Sequence, residues 1–118
     1  MRYMLLIYGA EDVLDDESRE KCYQESVGLT QELAEAGQFR SASPLQSIST
    51  ATSVRVREGK RMVTDGPFAE TREQLGGYFM IDAENLDDAI AIAARIPGAR
   101  WGTVEVRPVV ELNGLPEP

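Results

Sequence analysis

The order of helix and strand patterns along the chain constrains the fold more than any other feature. Residues 3–8 form an unbroken apolar run closed by Gly9, which is typical of a central strand covered on both faces. A long helical stretch follows. It begins at an N-cap residue, Asp15 or Asp16, and Gly37 supplies the C′ position that ends it near residue 36.

The rest of the chain continues with a strand, an inserted hairpin, another strand, a second helix and a last strand. Six segments have strand or helix patterns: a short strand near Phe39, alternating runs at 52–57 and 60–64, an apolar strand at 77–82, a helix capped by Asn85 and ended by Pro97-Gly98, and a strand at 103–109. Glu58-Gly59 separates the two alternating runs and predicts a two-residue hairpin turn. The basic residues beside this turn are expected on the exposed side of the hairpin.

The apolar positions of the two helices predict the core. The first helix has Cys22, Ser26, Leu29 and Leu33 beside a stripe of Tyr23, Val27, Thr30 and Ala34. In the second helix, Leu86, Ala89, Ile90, Ala93 and Ile96 are expected to point inward. Cys22 is therefore interpreted as a small core residue rather than a nucleophile.

Strand, helix, strands, helix, strand is the βαββαβ order of a ferredoxin-like α+β sandwich, with an extra β-hairpin. Both helices would cover one face of the sheet. In the last strand, Val104 and Val106 are assigned to the helix side, which leaves Glu105 and Arg107 on the open face. Because the first strand is apolar on both faces, this open face needs a partner, and we expect a homodimer.

Composition excludes several classes of function. The chain of 118 residues fits one domain, and it has no histidine, one cysteine and a net charge of −8. Disulfides, Ser–His triads and histidine- or thiolate-ligated metals are therefore excluded. The acidic balance argues against a nucleic-acid or anionic-membrane partner. No apolar run is long enough for a membrane span and no secretory signal is evident, so the expected location is cytoplasmic.

The segment from Asp65 to Gln74 is longer than a plain hairpin connection. Asp65-Gly66 opens a turn and Pro67 fixes the next backbone angle. Phe68 is expected to pin this loop to the body of the domain. The stretch 70–73 then places two carboxylates, a hydroxyl and a guanidinium close together.

These residues carry a family resemblance. The matching segments are Asp65-Gly66-Pro67-Phe68, Ala69-Glu70-Thr71-Arg72-Glu73, Leu75-Gly76-Gly77-Tyr78, Met4-Leu5-Leu6-Ile7-Tyr8, Ala51-Thr52-Ser53-Val54-Arg55 and Val104-Glu105-Val106-Arg107-Pro108. Together they resemble the DGPF branch of the YCII-related family. The resemblance implies one domain over 1–112, and the residues that follow, 113–118, are expected to form a frayed tail. It also implies a dimeric α/β barrel, in which two sheets pack face to face around a cavity. Some DGPF relatives are encoded beside extracytoplasmic-function sigma factors.

One departure from the family limits the chemistry. The catalytic proposal for YCII proteins uses a His–Asp pair, and this chain has no histidine. Only the aspartate of that pair could have a counterpart in this chain, and Asp65 is the obvious candidate. Turn formation is the competing interpretation of Asp65, because Asp-Gly so often marks turns.

Two functions remain open from the sequence. The first is cofactor-free, metal-free proton transfer of lyase or isomerase type on a small molecule bound in the dimer cavity. Its catalytic residues would be Asp65 as the base and Tyr78 as a substrate-orienting group. Its ligand-binding residues would be Tyr8, Glu70, Arg72, Glu105 and Arg107. The second is a non-catalytic ligand-binding or regulatory dimer that acts with a sigma factor.

Overall fold

A computed structural model describes residues 1–116. Its strands are β1 Arg2–Gly9, β2 Phe39–Pro44, β3 Thr52–Arg57, β4 Lys60–Asp65, β5 Gln74–Asp82 and β6 Thr103–Pro108, and its helices are α1 Asp16–Glu35 and α2 Leu86–Ala93. Two 3-10 turns, Ile48–Thr50 and Pro97–Arg100, lie in the connections. The last two residues of the predicted tail, 117 and 118, lie outside the described part of the chain. No helix within residues 1–116 is both long enough and apolar enough to cross a bilayer.

Four strands form one antiparallel sheet in the order β2-β5-β1-β6. This is the strand order of the ferredoxin-like βαββαβ sandwich, and the fold predicted from the sequence is confirmed. The strand β1 lies in the centre, where Leu6 pairs with Tyr78 of β5 on one side and Glu105 of β6 on the other. A register shift between Ile7 and Tyr8 bends the end of the strand that leads to α1.

Local sequence signals set the ends of both helices. The Asp15 carboxylate accepts a hydrogen bond from the Ser18 N–H at 2.7 Å, and the Asn85 side chain accepts one from the Asp88 N–H at 2.9 Å. Gly37 adopts φ +74°, the left-handed conformation expected after a helix. These capping predictions are confirmed.

Both helices cover the same face of the sheet. The buried core contains Tyr3, Leu5, Leu29, Leu33, Phe79, Ile81, Ala83, Ala89, Ile92, Ala93 and Ile96. Val104 and Val106 pack against this core, as predicted for the helix side of β6. The prediction that Leu86 and Ile90 point inward is wrong, because about half of each residue is exposed. The short helix α2 touches the core through Ala89, Ile92 and Ala93 instead.

The opposite sheet face is uncovered in the single chain. Strand alternation places Met4, Leu6, Tyr78 and Met80 at its centre, and all four are only partly buried. Glu105 and Arg107 are exposed beside them, as predicted. At one end of this face Asp82 lies 2.5 Å from the Arg40 Nε and 3.9 Å from the Arg2 Nε.

The inserted hairpin β3–β4 forms a separate two-stranded sheet. Glu58 and Gly59 have φ values of 52° and 76°, as a type I′ turn requires, so the predicted turn is confirmed. The Cα radius of gyration is 16.0 Å, whereas a compact chain of this length has a radius of about 13.5 Å. The predicted anchoring role of Phe68 is wrong, because this residue is 80% exposed.

Candidate ligand-binding site

A cavity of about 700 Å³ lies between the N-terminal half of α1 and the sheet. Its floor is formed by the adjoining ends of β1, β2 and β5, including Ile7, Ala42 and Gly77. Its roof is α1 from Arg19 to Thr30. The cavity therefore lies on the helix side of the sheet, within one chain.

Side-chain size along α1 explains why the cavity exists. The inward positions near the C-terminus of α1 carry Leu29 and Leu33, which are buried against the sheet. The corresponding positions one and two turns earlier carry Ser26 and Cys22, which line the cavity and are half-buried. These small side chains do not fill the space that the leucines fill further along α1. On the sheet side, Gly77 has no side chain that could fill it.

Two loops are joined at the rim of the cavity by Glu11. Its carboxylate accepts hydrogen bonds from the Ser47 hydroxyl and from the Ile48 N–H, both at 2.9 Å. Ile48 begins a 3-10 turn, so Glu11 accepts from a backbone N–H that the turn itself cannot satisfy. The loop before α1 is thereby fixed to the loop after β2.

Arg19 is the one basic residue that lines the cavity in the described part of the chain. Its guanidinium donates to the Asp16 carboxylate at 3.0 Å and to the carbonyl oxygens of Glu11 and Leu14 at 3.1 Å each. Because these bonds occupy the guanidinium, Arg19 orders the loop and is poorly available to a ligand anion.

The cavity wall near the 3-10 turn Pro97–Arg100 contains Trp101, the single tryptophan of the chain. The Arg100 guanidinium lies 5.1 Å from the Trp101 ring centroid and donates two hydrogen bonds, at 2.9 and 3.0 Å, to the Glu25 carboxylate. These bonds lower the pKa of Glu25 and fix α1 to this wall. Burial raises the pKa of the Cys22 thiol, so the thiol stays protonated near neutral pH.

The two tyrosines predicted in the site border the cavity, but their hydroxyl groups have partners on the open face of the sheet. The Tyr8 hydroxyl donates to Glu105 at 3.3 Å, and the Tyr78 oxygen accepts from the Ser41 hydroxyl at 3.2 Å. Tyr8 and Glu105 also line a shallower depression with Thr71, Glu73 and Thr103. This depression brings together part of the predicted constellation.

The remaining predicted residues lie away from the cavity in the described chain. Asp65 is the exposed last residue of β4 and pairs with Thr52 across the hairpin. Glu70 and Arg72 are exposed in the loop that follows, and Arg107 is exposed on the open sheet face. None of these four lines either cavity described above, so their catalytic or binding roles remain predictions.

Several residues that line the cavity were not predicted to belong to a functional site. They are Glu11, Arg19, Glu20, Tyr23, Gln46 and Trp101. One sequence signal was available, because the inward face of α1 changes from Cys and Ser to Leu and Leu along its length. No such signal marks Glu11 as a partner of Ser47, which lies 36 residues further along the chain.

Fold and site together define a ferredoxin-like α+β domain with an internal cavity between its helix layer and its sheet. The model of the YCII-related domain matches residues 1–113, and the chain belongs to this family. It is 34% identical over 114 residues to an uncharacterised protein of Rhizobium meliloti (strain 1021), a match that covers 92% of each chain.

A solved structure shows the same fold. It is the 5-chloro-2-hydroxyhydroquinone dehydrochlorinase from Burkholderia phenoliruptrix, in complex with 2,5-dihydroxybenzoquinone. The TM-score is 0.56 and the sequence identity is 12%, and the match covers 93% of this chain and 94% of the other.

Proposed function

We propose that this protein binds a small organic molecule in the cavity between α1 and the sheet. The observation that carries the proposal is the cavity itself, whose volume of about 700 Å³ falls within the usual range for small-molecule pockets, about 300–1,000 Å³. It combines apolar and aromatic walls with a few hydroxyl and amide groups, which is the usual composition of such sites.

The charges around the cavity favour a neutral or weakly acidic ligand. Arg19 and Glu11 are both held by protein hydrogen bonds, so neither offers a free charge to a strongly ionic ligand. Tyr23 and Trp101 supply aromatic surface for a planar ring. The dehydrochlorinase with this fold was solved with a dihydroxyquinone, and phenols and quinones are the ligand class that we propose for this chain.

Proton transfer to or from the bound ring is the chemistry that we propose for this site, and it needs no cofactor. Among the carboxylates that line the cavity, Glu20 accepts one hydrogen bond, from Gln24 at 3.0 Å, whereas Glu11 accepts two. Glu20 is therefore the better placed base in a single chain. Asp65 would serve as the base only if another copy of the chain brought it to the cavity.

A non-catalytic regulatory dimer that acts with a sigma factor is the alternative function. Both functions share the ligand-binding step.

We also propose that two copies pair through the open sheet face. Met4, Leu6 and Met80 supply the apolar centre of that face, and Glu105 and Arg107 supply a charged rim. An apolar centre with a polar rim is typical of a protein interface.

Calorimetric titration with 2,5-dihydroxybenzoquinone and simple phenols tests the binding proposal. Ser26→Phe should abolish binding by filling the cavity, whereas Gln31→Phe, at an exposed position of α1 outside the lining, should bind as the wild type does. Equal binding by both variants would show that the ligand lies elsewhere.

Exchange of ring hydrogens in deuterated water, followed by NMR, tests proton transfer. The exchange should be lost in Glu20→Gln, and exchange at the wild-type rate in that variant would exclude Glu20 as the base.

A further inference from the structure

The hairpin β3–β4, called the ribbon below and formed by residues 52–65, exposes apolar side chains that a single chain leaves uncovered. Val54 pairs with Val63 and Val56 pairs with Arg61, so three valines share one face of the ribbon. These valines are 57–62% exposed. A two-stranded ribbon alone is marginally stable in water, and an apolar face of this kind is stabilised by packing against another surface.

Four basic residues lie on the ribbon, three of them on the face opposite the valines. Arg55, Arg57 and Lys60 lie on the face away from the valines, whereas Arg61 pairs with Val56 and lies on the valine face near the tip. These four residues are one third of the twelve Lys and Arg residues in a chain with twenty acids. None of them forms an ion pair within residues 1–116, so their charges are available to a second molecule.

The surface that complements the ribbon lies around the cavity mouth. The segment 11–20, called the acidic segment below, contains Glu11, Asp12, Asp15, Asp16, Glu17 and Glu20. Beside it, Tyr23, Val27 and Leu45 line the cavity and are each exposed by more than a third. The mouth therefore offers an apolar strip next to a negative one, which matches the valines and the basic residues of the ribbon.

We propose that the ribbon of one copy of this chain lies across the cavity mouth of a second copy. The valine face packs on Tyr23, Val27 and Leu45, and the basic residues lie beside the acidic segment. Two-fold symmetry makes the contact reciprocal, so each ribbon covers the other cavity. Such a contact is additional to pairing through the open sheet face, and it does not depend on which ligand the cavity holds.

Site-directed cross-linking of full-length chains tests this contact. Two copies with different tags are co-expressed in a Cys22→Ser background, one with Val56→Cys and the other with Glu20→Cys, and are treated with a short bis-maleimide. The expected product is a cross-linked pair that contains both tags, and its yield should fall in high salt because the ion pairs are screened. The control replaces Glu20→Cys with Glu84→Cys, an exposed site that follows β5 at the opposite end of the sheet, and the mixed product should be lost.

Three outcomes would overturn the proposal. One is the absence of the mixed product in V56C/E20C samples that circular dichroism shows to be folded. Another is an equal yield with E84C, which would show non-specific collision. The third is a product that joins two V56C chains only, which would show that ribbons pair with each other rather than with the cavity mouth.

Discussion

The carboxylate of Glu11 and the hydroxyl of Ser47 lie 2.9 Å apart and join two loops at the rim of the helix-side cavity. The Ile48 N–H donates to the same carboxylate at 2.9 Å. One side chain therefore orders both the entry to α1 and the exit from β2. The shape of the cavity mouth depends on this contact rather than on the sheet alone.

Glu11→Ala should weaken ligand binding without unfolding the domain. It removes two hydrogen bonds from an exposed rim, and we expect affinity to fall by about fivefold, which corresponds to about 1 kcal/mol. Calorimetric titration measures the change. Glu17→Ala is the matched control, because Glu17 lies in the same acidic segment and pairs with the exposed Lys21, at 3.7 Å, rather than with a loop of the rim. Equal losses in both variants would indicate a general effect of charge rather than loss of the rim contact.

Two carboxylates should make the fold sensitive to acid. The Ser18 N–H lowers the pKa of Asp15, and the Arg100 guanidinium lowers the pKa of Glu25. A carboxyl group whose pKa is lower in the folded state stabilises the fold above its ordinary value, and this contribution is lost as the pH falls through the folded-state pKa. The ordinary values are 3.8 and 4.5, which places the loss below about pH 4.5.

Urea unfolding between pH 7 and pH 3 measures this dependence. The double variant Asp15→Asn/Glu25→Gln should show a shallower decline of unfolding free energy than the wild type in the acid range. Asn retains the capping oxygen without a titrating group, so the comparison isolates protonation. Parallel curves for the two proteins would show that other carboxylates control acid unfolding.

Two glycines should respond to alanine in opposite directions. A Cβ at Gly102 would lie 2.1 Å from the Tyr8 carbonyl oxygen, and the surrounding atoms are backbone. Gly102→Ala should therefore cost more than about 2 kcal/mol of unfolding free energy. A Cβ at Gly28, inside α1, meets nothing within 4 Å, and Gly28→Ala should stabilise the protein by about 0.5–1 kcal/mol. Thermal denaturation measures both variants. A melting temperature of Gly102→Ala at or above that of the wild type would refute the close packing at Gly102, and a lowered melting temperature of Gly28→Ala would refute the open space at Gly28.

Pairing through the open sheet face can be tested with Met80→Asp. The substitution places a charge at the centre of the proposed interface, and we expect the dimer dissociation constant to rise by at least about 100-fold. Because the ribbon contact is separate from this interface, both proteins carry Val56→Asp to remove it. Sedimentation equilibrium should then show a mass near twice 13.0 kDa with Met80 intact and near 13.0 kDa with Met80→Asp. Gln31→Asp, on the exposed surface of α1, should remain dimeric. A monomer with Met80 intact would contradict the pairing outright.

Much of the fold is readable from local sequence. Alternation separated the helix-side valines of β6 from Glu105 and Arg107, and the residue types at Asp15, Asn85 and Glu58-Gly59 marked two caps and a turn that the structure contains. Each of these features depends on a few neighbouring residues. The prediction that Leu86 and Ile90 point inward was wrong because a helix of only two turns can meet the core along either of two adjacent stripes of residues.

The candidate site was harder to predict because its parts are distant in the chain. The cavity needs small residues on α1, glycines on β5 and the Glu11–Ser47 contact between loops. The conspicuous motif around Asp65 instead lies on an exposed hairpin end. The most distinctive sequence motif therefore lies in the ribbon and the loop that follows it, and not in the cavity wall.

Backbone amide NMR during titration with a set of phenols and quinones tests the central claim most directly. If the ligand enters the helix-side cavity, the largest shift changes should fall on Cys22, Ser26, Gly77 and Trp101, while Met4 and Arg107 on the open sheet face change little. If none of these compounds changes the chemical shifts of the cavity amides, or if only amides of the open face shift, ligand binding between α1 and the sheet is contradicted.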